Sequence, residues 1–85
     1  MKLQRLQAFR RSYAQLPPHV RKKVDRRLVY LAQDIRHPGL RAKKMSSVGD
    51  IWEGRVNGGY RFTFHIDGDT IVLRKVGKYD VLKHP

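Results

Sequence analysis

The apolar residues of this chain change their spacing near its midpoint, and that change limits the fold more than any other feature. Val20, Val24, Leu28, Leu31 and Ile35 fall at i, i+4, i+8, i+11 and i+15. Such a row makes one stripe along a helix, predicted over Pro18–Asp34. A shorter helix is predicted from Leu6 to Leu16, with Phe9 and Tyr13 at helical spacing. Pro17-Pro18 end it, and the second proline suits the first turn of the next helix. His37-Pro38-Gly39 stops the second helix. After Gly49 the period falls to two. Ile51–Val56, Tyr60–Ile66 and Thr70–Val76 read as strands, joined by turns at Asn57-Gly58-Gly59 and Asp67-Gly68-Asp69. Tyr60, Phe62, Phe64 and Ile66 alternate onto one face, expected to pack on the helices, while Arg61, Thr63 and His65 point away. Lys2–Arg5 and Tyr79–Leu82 are short candidate strands, and Leu40–Gly49 reads as a basic linker. The expected fold is α+β: an N-terminal helical hairpin packed on a twisted antiparallel sheet of about four strands. With 85 residues, the chain is expected to form a single domain over 1–85.

Composition narrows the function classes. The chain has no cysteine, so disulfides and thiolate metal sites are excluded. No apolar run approaches the roughly 18–20 residues of a membrane span. The helix faces lack a broad Trp/Phe wedge for lying on a membrane. The N-terminal stretch MKLQRLQAFRRSY has no apolar signal-peptide region, so a cytoplasmic location is expected. Hydrophobic residues make up 40% of the chain, enough for a small core and too many for a disordered basic tail. The net charge is +12, and it is unevenly placed. Residues 1–49 hold 13 Lys+Arg against 2 Asp+Glu, whereas residues 50–85 hold 6 against 5. Repulsion on that scale opposes compaction and favours a polyanionic partner. The plainer alternative is a solubilising surface.

Three chemistries find no support. His19, His37, His65 and His84 are scattered without paired metal-ligand spacing, so no metal or cofactor is expected. Ser12, Ser46 and Ser47 sit in no nucleophile elbow. Gly58-Gly59 precedes a strand, not a helix, so it is hairpin chemistry and not a phosphate loop. What remains is a polar sheet face. Glu53 and Arg55 share one side of their strand, and the turn length puts Arg61 across from Arg55. Two arginines directly opposite repel one another unless an anion sits between them. Guanidinium groups suit a phosphate, including the charged intermediate of phosphodiester cleavage. Glu53 either pairs with an arginine or accepts a proton; the alternative is an exposed charge ladder. Gly77 allows a bulge or turn that re-aims Lys78 and Tyr79. Tyr79 can then stack on a base or move a proton, or simply cover the sheet edge.

The segments Leu-Ala-Gln-Asp-Ile-Arg-His-Pro-Gly-Leu-Arg-Ala-Lys-Lys-Met (31–45), Ile-Trp-Glu-Gly-Arg-Val-Asn-Gly-Gly-Tyr-Arg-Phe-Thr-Phe (51–64) and Asp-Gly-Asp-Thr-Ile-Val-Leu-Arg-Lys-Val-Gly (67–77) follow the helical hairpin in order. Together they resemble the RelE/ParE superfamily of toxin–antitoxin toxins, more closely its RelE-type messenger-RNA endonuclease branch. The resemblance covers essentially the whole chain. It implies a microbial-RNase-like fold and a metal-free endoribonuclease that inhibits translation by cutting mRNA on the ribosome. It also implies a cognate antitoxin as partner. Arg55 matches a strand position that is often Arg or Lys, Arg61 matches the arginine after Gly-Tyr, and Glu53 lies on a strand that supplies catalytic residues in some members. The cations Arg21, Lys22, Arg26, Arg41, Lys43, Lys44 and Arg74 are then expected to dock RNA and ribosome. One departure matters. Many close relatives read Val-Gly-x-His-Asp where this chain reads Val-Gly-Lys-Tyr-Asp, so Tyr79 replaces the presumed catalytic histidine. Tyr79 takes over proton transfer, or Lys78 or His84 compensates, or the toxin is catalytically impaired. A phenol's ordinary pKa of about 10 suits neutral pH less well than an imidazole's. The alternatives are a ParE-like inhibitor of DNA gyrase and a non-catalytic RNA-binding or ribosome-binding homologue.

Overall fold

The computed structural model describes residues 1–45 and 49–85. The chain runs β1 (Lys2–Arg5), α1 (Gln7–Ala14), α2 (Pro18–Gln33), a 3-10 turn (Pro38–Leu40), β2 (Lys43–Lys44), β3 (Trp52–Arg55), β4 (Tyr60–Asp67), β5 (Thr70–Lys78) and a second 3-10 turn (Tyr79–Leu82). The sheet order is β1-β5-β4-β3-β2. β1 runs parallel to β5, and the other neighbours are antiparallel. The α+β expectation holds, with the sheet five-stranded and mixed instead of four-stranded and antiparallel. The helical hairpin between β1 and the rest of the sheet makes the difference, since such a crossover lets the first strand return parallel.

The stripe does what its spacing predicts. Val20, Val24, Leu28 and Leu31 are buried, as is Phe9 of α1, and they pack with Phe62 and Phe64 of β4 and Ile71, Leu73 and Val76 of β5. Ile35 lies just past the end of α2 and packs at the margin of this core. Arg27 of α2 is half-buried. Its Nε donates to the Val56 carbonyl at 3.3 Å, tying α2 to the end of β3. Past Leu73, β5 has no β1 neighbour, and the Val76 N–H donates instead to Ser12 Oγ of α1 at 3.1 Å. Gly54 sits against the Phe62 ring so closely that any Cβ would collide with it.

Two expectations fail at the ends of elements. The Leu40–Gly49 linker contains β2, which pairs Lys43 with Glu53 and Lys44 with Trp52. Two adjacent lysines carry no alternation, so nothing in the sequence marks them as a strand; short and charged is nonetheless what a sheet edge favours. The part of that linker at 46–48 lies outside the described residues. Tyr79–Leu82 is a 3-10 turn and not a strand. β4 begins at Tyr60, opposite Lys78, so the chain beyond Lys78 has no strand beside it to pair with. The turn folds back instead, and a Cβ on Gly77 would meet Val81 at 2.9 Å. Residues after it stay close. Pro85 O accepts from Arg74 Nε at 3.1 Å and from Thr63 Oγ1 at 3.3 Å. This explains why Thr63, on the side of β4 away from the helices, is 0% exposed. Phe62 and Phe64 are inward as predicted, whereas Ile66 near the β4–β5 turn stays 39% exposed.

Candidate functional site

The sheet face away from the helices is covered on its β5 side by the C-terminal residues and left open on its β2–β3 side. The β3–β4 register places Arg55 directly opposite Arg61 and Glu53 opposite Thr63. Lys43 stands opposite Glu53 on the other flank. Arg41, Lys43, Glu53, Arg55 and Arg61 line one cavity of about 290 Å³, so four cations surround one carboxylate. Arg41 reaches it from the end of the first 3-10 turn, where its backbone adopts a left-handed φ of 46°. Such a conformation in a residue with a side chain costs about 1–3 kcal/mol and clusters at functional sites.

The ion pairing is informative. Glu53 lies 3.7 Å from Lys43 Nζ, with its side chain only 16% exposed, and pairs with neither arginine. The exposed charge ladder of Glu53 with Arg55 or Arg61 is therefore not what forms. Arg61 is held by neutral acceptors. Its Nη1 donates to the carbonyls of Asn57 and Tyr60, the latter at 2.9 Å. Its Nη2 donates to Tyr79 Oη at 2.9 Å, and its guanidinium carbon lies 4.8 Å from the Tyr79 ring centre. Tyr79 Oη in turn donates to the Gly58 carbonyl at 3.0 Å. The Arg55 side chain has no hydrogen-bond or ion-pair partner among the described residues. Two positive charges, Arg61 held in place and Arg55 unpartnered, thus stand opposite each other, un-neutralised, beside a partly buried carboxylate. That arrangement can take a phosphate between the arginines and put a proton acceptor next to it.

Of the residues singled out in the sequence, Glu53, Arg55 and Arg61 line the cavity, and Tyr79 is joined to it through Arg61. The structure does not bring Lys78 to them. Lys78 is opposite Tyr60 and opens into a separate groove of about 670 Å³ between the α1–α2 corner and the second 3-10 turn, with Lys75, Lys83 and His84. His84 lines that groove and not the cavity. Of the bulge or turn expected at Gly77, the turn forms, as the 3-10 turn that starts at Tyr79; the ladder shifts instead between Thr63 and Phe64, opposite Arg74, and Lys78 keeps the same side as Val76. Of the expected docking cations, Arg41 and Lys43 belong to the cavity. Lys22 and Arg26 lie exposed on α2. Arg21 Nη1 reaches the Ala14 carbonyl at 3.4 Å. Lys44 pairs with Asp50 at 3.7 Å. Arg74 is tied down, its Nη1 2.9 Å from His65 Nδ1 in addition to the Pro85 contact.

No family model and no curated protein matches this sequence. Solved structures do match the fold. The RelB–RelE antitoxin–toxin complex from Methanococcus jannaschii aligns at TM-score 0.75 and 22% identity, over 95% of each chain. A YoeB/ParE toxin from Agrobacterium tumefaciens aligns at TM-score 0.80 and 12% identity, over 93% of this chain and 99% of its own. The intact E. coli RelBE toxin–antitoxin complex aligns at TM-score 0.73 and 19% identity, over 91% and 94%. The chain has the RelE/ParE superfamily fold, as the sequence resemblance implies.

Proposed function

We propose that this protein is the toxin of a type II toxin–antitoxin system and an endoribonuclease that inhibits translation by cutting mRNA on the ribosome. The observation that carries this reading is the Arg55–Arg61 pair, directly opposite and un-neutralised on the open face of a fold shared with RelE and YoeB. In the proposed reaction the ribose 2′-oxygen bonds to the adjacent phosphorus and the bond from phosphorus to the 5′-oxygen breaks. Glu53 accepts the 2′-hydroxyl proton. Arg55 and Arg61 hold the phosphate and stabilise the charge that builds on its oxygens. The leaving 5′-oxygen takes its proton from a carrier at the rim, either the Lys43 ammonium or the Tyr79 hydroxyl. No step needs a metal. Lys22 and Arg26, with Arg21 and Lys44 beside their carbonyl and carboxylate contacts, supply the docking charge for ribosomal RNA. A cognate antitoxin, cytoplasmic like the ribosome, is the expected partner, as RelB is of RelE in the aligned complexes.

The test is mapping of cut sites on ribosome-bound mRNA. Wild type is expected to cut. Arg61→Ala should lower the rate about 10²–10³-fold, the loss typical of one charge-stabilising donor, while the domain stays folded by circular dichroism. Cleavage unaffected by Arg61→Ala would defeat the site. Inhibition of gyrase supercoiling with translation intact would favour the ParE-like reading instead.

A further inference from the structure

Tyr79 is 54% exposed, yet its one hydroxyl proton is committed. The oxygen accepts a hydrogen from Arg61 Nη2, and the single proton goes to the Gly58 carbonyl. A hydroxyl has one proton to give, so Tyr79 cannot protonate a leaving oxygen without abandoning Gly58. We infer that Tyr79 is a positioning residue for Arg61 and not a proton carrier. The consequence for rate rests on the endoribonuclease reading above; the geometry does not.

The clamp works through a chain of contacts. Asn57 Oδ1 accepts from the N–H groups of Gly59 at 2.8 Å and Tyr60 at 3.0 Å, which fixes the tip of the β3–β4 hairpin. Tyr79 bonds that tip at Gly58. Its own position is set by the second 3-10 turn, anchored where Val81 is buried against Gly77. Arg61 is then gripped on three sides. Both Nη1 hydrogens go to the carbonyls of Asn57 and Tyr60, one Nη2 hydrogen goes to Tyr79, and the phenol ring lies against the guanidinium carbon. Nε–H and one Nη2–H are left without a protein partner among the described residues.

The choice of acceptors matters as much as the grip. Carbonyl and phenol dipoles orient the guanidinium without cancelling its charge, whereas a carboxylate would cancel it. Glu53, the carboxylate of the cavity, is engaged by Lys43. An incoming phosphate therefore meets an arginine already oriented, with donors free, and pays little in side-chain ordering. With Tyr79 committed to holding the arginine, Lys43 is left to return the proton.

Two measurements on the full chain test this: the ¹⁵N NMR signals of the Arg61 guanidinium, and single-turnover cleavage of ribosome-bound mRNA from pH 6 to 9. Each is made on wild type, Tyr79→Phe and Tyr79→Leu. Phenylalanine keeps the ring and loses both hydroxyl bonds; leucine loses the ring as well. Slowed guanidinium rotation, with resolved Nη signals, is expected in wild type and lost in Tyr79→Phe. Cleavage should fall about 10–100-fold in Tyr79→Phe, the scale of a misplaced group, and further in Tyr79→Leu, with the shape of the pH profile unchanged. Arg61 signals that are identical in Tyr79→Phe would overturn the clamp, as would loss of one limb of the pH profile in that variant. Absence of cleavage by wild type would end the endoribonuclease reading and leave the NMR comparison to decide the clamp alone.

Discussion

Arg55 and Arg61 work against the fold that displays them. Like charges directly opposite across two strands destabilise a sheet, by roughly 0.2–1 kcal/mol at exposed positions. No carboxylate relieves the pair, because Glu53 is turned to Lys43. Arg55→Gln is therefore expected to move stability and activity in opposite directions. The melting temperature should rise by roughly 1–8 °C, since each kcal/mol is worth about 4–8 °C in a domain of this size, while cleavage of ribosome-bound mRNA falls at least tenfold. A lower melting temperature would mean that Arg55 has a structural partner and that the repulsion argument is wrong. This pair was legible in the sequence because a short turn fixes which residues face each other. Lys78 was not, because its side of the strand depends on whether Gly77 carries a bulge, and glycine permits either course. The roles of Arg41 and Lys43 were hidden more deeply. Each reads as one more cation in a basic linker, and only the pairing of Lys43 with Glu53 brings them to the cavity.

The two helices were readable from spacing alone, and a surface contact joins them that the spacing did not announce. Tyr13 Oη of α1 donates to Asp25 Oδ1 of α2 at 2.7 Å. That hydrogen bond, helped by partial burial and the Asp25 charge, holds the Tyr13 phenol above its ordinary range, against the opposing pull of Arg21 and Arg5. A phenol that keeps its proton more tightly in the folded state than in the unfolded state stabilises the fold below the unfolded pKa, about 10. The contribution fades as pH rises through the folded value. Stability of wild type should therefore fall more steeply than that of Tyr13→Phe above about pH 10, measured by urea unfolding at several alkaline pH values. Lysines lose charge over the same range in both proteins, so the difference between the slopes isolates Tyr13. The difference should be small, since the pair is exposed and screened; equal slopes would show that the contact links the helices in geometry only. Elements without a period were the ones sequence could not read. β2 spans two lysines and the closing 3-10 turn only four residues, and both are specified by what lies next to them in space.

At the scale of the molecule, the charge excess separates into two populations that the linear sequence mixes. Counting along the chain assigns nearly all of it to residues 1–49. Folding moves Arg41 and Lys43 out of that half and into the cavity, and buries part of Arg27 against the end of β3. Lys22 and Arg26 remain exposed on α2, on the helix faces opposite the core stripe. If they contact ribosomal phosphates, each releases counterions on binding. Removing both by Lys22→Ala with Arg26→Ala should then reduce the slope of log affinity against log salt by about 1.4–1.8, at roughly 0.7–0.9 per lost contact. The double variant should also melt higher at low ionic strength, because two repelling charges are gone, and the gain should vanish as salt screens the rest. Cleavage measured with saturating ribosomes should stay at the wild-type rate, since neither residue touches the cavity. An unchanged salt slope would place the docking surface elsewhere, and the groove holding Lys75, Lys78 and Lys83 would be the next surface to examine. Loss of cleavage at saturation would instead mean that α2 positions the mRNA as well as the ribosome, and the separation of docking from chemistry would fail.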